Sequence, residues 1–161
     1  MVEIRANEAA KVPLYTDALK KVIKRSKEIG LEKALEEWAE EITKRRMTWF
    51  NEHKNSLNLK GTDVEKAFQL VLFEYMKLKP EEVPIIEKTE KKIVWRSYDF
   101  CPYLEAVKKL KMDTRVVCRC ATHSPVQAMI ETINPKLLFS RNYIAIRPYT
   151  EYCEEIIELI D

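Results

Sequence analysis

At Pro80 and Pro84 the spacing of apolar residues along the chain changes from a helical to a strand period, which divides the chain into a helical front and a mixed back. Upstream, Leu31, Ala34, Leu35, Trp38, Ile42 and Trp49 keep to one stripe with Glu, Lys and Arg opposite, which predicts a long amphipathic helix over about 31–51. Before it, Thr16 suits a cap for a helix carrying Leu19, Val22, Ile23 and Ile29, with Gly30 as its stop. Thr62 and Glu65 form a capping-box pattern that opens a helix with Val64, Phe68, Val71, Leu72, Tyr75 and Met76 inward.

Downstream, two β-prone runs at 85–89 and 93–98 flank Glu90-Lys91-Lys92 as in a hairpin. Proline is favoured at the first helical position, so short helices are expected over 102–110 and, with Ser124 as cap, over 125–133. If residues 116–120 are extended, Cys118 and Cys120 fall on one face. Two more strands are expected at about 136–147 and 152–160, separated by a turn at Pro148-Tyr149-Thr150. The expected fold is α+β in one domain: an N-terminal helical layer, about five helices in all, on an antiparallel sheet of four to five strands.

A chain of 161 residues buries enough surface to fold without a metal or disulfide to hold it together. Lys and Arg number 28 against 26 Asp and Glu, and the signs are interleaved, so no nucleic-acid footprint is visible. The start, Met1-Val-Glu-Ile-Arg, lacks the pattern of a secretion leader, and no apolar run is long enough for a membrane span. A cytoplasmic protein follows as the expectation. A charged fraction of 34% with two glycines is a composition found in heat-adapted proteins.

All four cysteines, Cys101, Cys118, Cys120 and Cys153, fall in the last third of the chain, and His123 follows the closest pair by three residues. Sulfur and imidazole groups gathered in this way point to a thiol-based site or a metal site. Cys101 precedes Pro102 at a helix N-terminus, where free N–H groups favour a thiolate. Cys101, Cys118, Cys120, His123 and Cys153 also supply enough donors for zinc or iron, although the spacing differs from a Cys-x-x-Cys knuckle.

Cys101-Pro102-Tyr103-Leu104-Glu105-Ala106, then Ile133-Asn134-Pro135-Lys136-Leu137 leading to Arg141, then Tyr152-Cys153-Glu154 together resemble the L-2-amino-thiazoline-4-carboxylic acid hydrolase family. The order of elements agrees over most of the chain. His123 stands where many members carry a cysteine, and Glu151-Tyr152 replaces their Gly-Asp before the last cysteine. The last-strand cysteine is also similar to that of small-molecule-binding domains of the four-vinyl-reductase type.

The resemblance implies hydrolysis of a C–N or C=N bond in a small cyclic, amidine-like, sulfur-containing acid. It carries over Cys101, His123 and Cys153 as candidate catalytic residues, while Arg141 and Arg147 suit the substrate carboxylate. In that reading Cys101 attacks the ring carbon or ligates a metal, and His123 moves the proton.

Two other classes stay open: a metal-binding protein, and a small-ligand binder without turnover, either of them compatible with a homo-oligomer. Cys118 and Cys120 also suit plain core positions beside Val116 and Val117, and a Cys101–Cys153 or Cys118–Cys153 disulfide suits a heat-adapted source. Trp38, Trp49 and Trp95 read as core anchors, and Lys44-Arg45-Arg46 as a solvated helix face.

Overall fold

A computed structural model describes residues 6–161; residues 1–5, which bear on a leader, lie outside it. Helix α1 (Ala6–Ile29) and helix α2 (Leu31–His53) form an antiparallel pair joined by Gly30 alone. Gly30 has φ +90°, a region that costs other residues strain, and this reverses the chain in one step. Thr16 lies inside α1, not at its start: its hydroxyl donates to the Val12 carbonyl at 2.7 Å. Helix α3 (Asp63–Phe68) begins as expected, with the Thr62 hydroxyl accepting from the Glu65 N–H at 3.4 Å, and continues as a π-helical stretch, Gln69–Tyr75.

The hairpin β1 (Ile85–Lys88) and β2 (Lys92–Ser97) follows, then α4 (Pro102–Lys109). The extended form considered for 116–120 is a correction. Asp113 caps α5 (Thr114–Val117) by accepting the Arg115 N–H at 2.9 Å, and the rod runs on through a π stretch, Cys118–Thr122, into α6 (His123–Glu131). The helical period of Thr114, Val117 and Ala121, all buried, overrides the strand preference of Val116-Val117. Ser124 therefore lies within α6, which its sequence role as a cap did not anticipate.

Strand β3 is shorter than expected, Leu137–Arg141, because the Asn142 side chain accepts the Ile144 and Ala145 N–H groups and turns the backbone away. Strand β4 spans Cys153–Leu159. The sheet is antiparallel with order β1-β2-β4-β3. Five helical rods on four strands give the α+β fold.

Helices α3 and α6 cover the inner face of the sheet, forming a core with Trp95, Phe139, Met129 and Ile157. A second core joins α1, α2, α4 and the α5 rod around Leu19, Leu35, Trp38 and Ile42. Burial of Trp38 and Trp95 and packing of Trp49 agree with their reading as anchors. Among the described residues no helix is long and apolar enough to cross a membrane.

Candidate functional site

Strand alternation aims one row of side chains from each central strand at the helices. On β2 the buried series Ile93, Trp95, Ser97 continues past the strand to Asp99, and Cys101 follows two residues later. On β4 the inward row includes Cys153, Glu155 and Ile157, and on β3 it includes Phe139 and Arg141. Register sets Ser97 opposite Cys153, and Glu155 between Trp95 and Arg141. The apolar end of this face is filled by core packing; the polar end floors a cavity of about 90 Å³ at the junction of the two cores.

Helices close the cavity from above. Val71 and Leu72 come from the first π stretch, Cys118 and Thr122 from the second, and Arg46 from α2. Both π stretches thus border the same space. Widened helical turns of this kind occur frequently at functional sites, because they re-aim a side chain and change which carbonyls are paired. Here the Cys118 carbonyl accepts the His123 N–H, the Thr122 hydroxyl at 3.1 Å and Arg141 Nη1 at 3.3 Å.

Met76, Cys101, Cys118 and Cys153 bring four sulfur atoms to the wall. All four cysteines are free thiols, so neither disulfide forms. Burial pushes the Cys101 thiol up to about 12, outweighing the lowering by the Arg147 charge and by the N–H of Leu104. Burial thus outweighs the helix N-terminus, and the thiolate that the sequence suggests is not favoured. Burial raises Cys118 as well, against the pull of Arg141.

Two ion pairs lie beneath the sulfur atoms. Arg141 Nη2 meets Glu155 Oε2 at 3.2 Å, and Glu155 Oε1 accepts the Ser97 hydroxyl at 2.9 Å, which in turn accepts the Trp95 indole N–H at 3.2 Å. Arg147 donates to the Asp99 carbonyl and, at 3.3 Å, to Cys153 Sγ, with its other nitrogen 3.7 Å from the Asp99 carboxylate. Burial raises Asp99 to about 7, because the Arg147 charge only partly offsets desolvation and Glu155 and Glu82 add repulsion. Arg141 and Arg147 both border the cavity, but their charges are already answered.

His123 and Cys120 do not join this group. A helix advances about 100° per residue, so Cys120 points away from Cys118, and it packs against the second core instead. His123 lines a shallow surface groove with Glu36, Glu40 and Glu131. Its ring stands 5.1 Å from Phe139, Nδ1 lies 3.3 Å from the Tyr143 hydroxyl, and burial followed by the Arg141 charge lowers its pKa.

The five-donor zinc or iron set is therefore not assembled: among the described residues no three His, Cys, Asp or Glu side chains converge on a metal-binding point. The three thiols that do share the cavity stand among three guanidinium and two carboxyl groups.

Arg46 is the residue the sequence reading missed. It is 5% exposed, not solvated, and its Nε and Nη1 have no hydrogen-bond partner among the described residues. The signal was its spacing: Arg46 lies four residues beyond Ile42 and three before Trp49, on the apolar stripe itself. Asp99 was legible in the same way, as the next inward position after Ser97. No protein-family model, curated protein or solved structure matches the chain.

Proposed function

We propose that the chain is a hydrolase of the L-2-amino-thiazoline-4-carboxylic acid hydrolase type, acting on a small cyclic, amidine-like, sulfur-containing acid. One observation carries this reading: four sulfur side chains and a carboxyl group with a pKa of about 7 border a single small cavity. Pockets for drug-sized ligands measure roughly 300–1,000 Å³, so about 90 Å³ suits a metabolite of few heavy atoms. Thioether and thiol groups are soft and polarisable, which favours contact with a sulfur heterocycle.

A general base works best when its pKa lies near the working pH, and Asp99 meets that condition. Asp99 takes a proton from water as the water oxygen bonds to the amidine carbon, and passes it to the nitrogen. The hydroxyl proton follows the same route as the carbonyl forms and the C–N bond breaks. Arg147 holds the Asp99 carboxylate in place. Cys101, kept protonated by burial, contributes sulfur contact and not a thiolate attack. In this scheme Asp99 takes the proton-transfer role first given to His123.

The test is consumption of L-2-amino-thiazoline-4-carboxylate by the full chain, followed by mass spectrometry. Asp99→Asn is expected to lower kcat about a hundredfold or more, the usual scale for loss of a general base, while Cys101→Ser retains measurable turnover. Unchanged turnover in Asp99→Asn would overturn the assignment.

A second reading, binding without turnover, is favoured by the absence of a low-pKa thiol at Cys101. It predicts that the same compound raises the melting temperature and is recovered intact.

A further inference from the structure

We propose that Arg46 anchors a single carboxylate of the cavity's ligand, making the site selective for small monoanions. The inference rests on the reading of the cavity as a small-molecule site, but not on turnover.

Three guanidinium groups border the cavity, from Arg46, Arg141 and Arg147, against the two carboxyl groups of Asp99 and Glu155. Glu155 is engaged by Arg141 and Ser97, and Asp99 by Arg147. Among the described residues one positive charge of the cavity has no carboxylate partner, that of Arg46. Buried guanidinium nitrogens without partners carry a desolvation cost that an anion relieves through charge-assisted hydrogen bonds.

The position of Arg46 suits a docking role. Its guanidinium carbon lies over the Tyr75 ring, 5.0 Å from the centroid, and its Nε and Nη1 are buried without a hydrogen-bond partner among the described residues. It borders both the inner cavity and an outer vestibule of about 160 Å³, and the two spaces share Arg46, Met76, Cys101 and Tyr103 as their common wall. Glu8, the acidic side chain of the vestibule, is already paired with Lys11 at 2.8 Å. Beyond Arg46 the inner cavity offers the apolar surfaces of Val71, Leu72, Trp95 and Val126. A ligand with one carboxylate and a compact, weakly polar body satisfies both ends. A second carboxylate would lie against Glu155 and Asp99, where like charge repels it.

The probe is propionate, which is the right charge and cannot be hydrolysed, with propionamide as the neutral isostere and malonate as the dianion, all at fixed ionic strength. Calorimetric titration and melting of the full chain are expected to show saturable binding of propionate and none of propionamide, with malonate weaker. Arg46→Met is expected to weaken propionate binding about ten- to a hundredfold, and Arg46→Lys to restore part of it.

Equal responses to propionate and propionamide in the unaltered chain, which needs no variant, would overturn the inference, as would undiminished propionate affinity in a folded Arg46→Met chain. Propionate binding through Arg46 without consumption of the thiazoline acid would refute only the enzyme reading. Consumption without any response to Arg46 substitution would refute only the anchor.

Discussion

Arg141 on β3 and Glu155 on β4 stand opposite one another and form an ion pair 3.2 Å long with side chains 9% and 12% exposed. The pair ties the sheet to the helical roof, because Arg141 also donates to the Cys118 carbonyl and to the Thr122 hydroxyl. Removing one member of such a pair strands the other charge away from water, at a cost of roughly 3–5 kcal/mol. Glu155→Gln is therefore expected to lower the unfolding free energy by about that amount in guanidinium denaturation. The double change Glu155→Leu with Arg141→Met should cost far less than Glu155→Gln alone, and a double variant that is worse than the single one would contradict the assignment.

Asp99 makes the stability depend on pH in an unusual sense for a carboxyl group. Its folded pKa of about 7 lies above the ordinary 3.8, so the folded chain holds the proton more tightly than the unfolded chain. The associated stability is complete below about pH 4 and is lost as pH rises through 7, amounting to on the order of 4 kcal/mol across the whole range. Relative to the unaltered protein, Asp99→Asn should gain stability between pH 5 and pH 8. Urea denaturation at the two pH values checks this, and parallel curves for the two proteins would contradict it.

The Cys101 thiol should behave as an unreactive group at neutral pH, since burial raises it to about 12 and the thiolate is the nucleophile. Iodoacetamide labelling at pH 7, read by peptide mass spectrometry, is expected to modify Cys101 far more slowly than an ordinary exposed cysteine. Its labelling rate should rise about tenfold per pH unit. Rapid labelling at pH 7 would show that the helix N-terminus does activate it.

Gly30 supplies a conformational prediction independent of the site. A Cβ added there would meet nothing within 4 Å, so the cost of Gly30→Ala comes from φ +90° alone. A loss of about 1 kcal/mol is expected from backbone strain, visible as a lower denaturation midpoint with an unchanged slope.

The scaffold was legible wherever period and punctuation agreed. The stripe through Leu35, Trp38 and Ile42, the Thr62 cap on the Glu65 N–H, and the break at Pro84 each describe local physics that tertiary packing did not override. Residues 116–120 failed because Val116-Val117 favours a strand locally, while the longer helical register and the Asp113 cap decide the outcome.

The site was half legible. Cys101, Cys118, Cys153, Arg141 and Arg147 do share a cavity, but Cys120 entered the set by proximity and His123 by proximity and the family resemblance, and helical rotation separates both from it. Neither the raised pKa values nor the absence, among the described residues, of a hydrogen-bond partner for Arg46 Nε and Nη1 can be read from residue type, since both arise from burial.

The account stands most directly on where a ligand settles. Titration of the isotopically labelled protein with L-2-amino-thiazoline-4-carboxylate, followed by amide and indole chemical shifts, locates it. Shifts concentrated at the Trp95 indole N–H and at the backbone of Ser97, Cys101, Cys118 and Cys153 are the expected result. Shifts confined to the groove of Glu40, His123 and Glu131, or no shifts at saturating concentration, would contradict it.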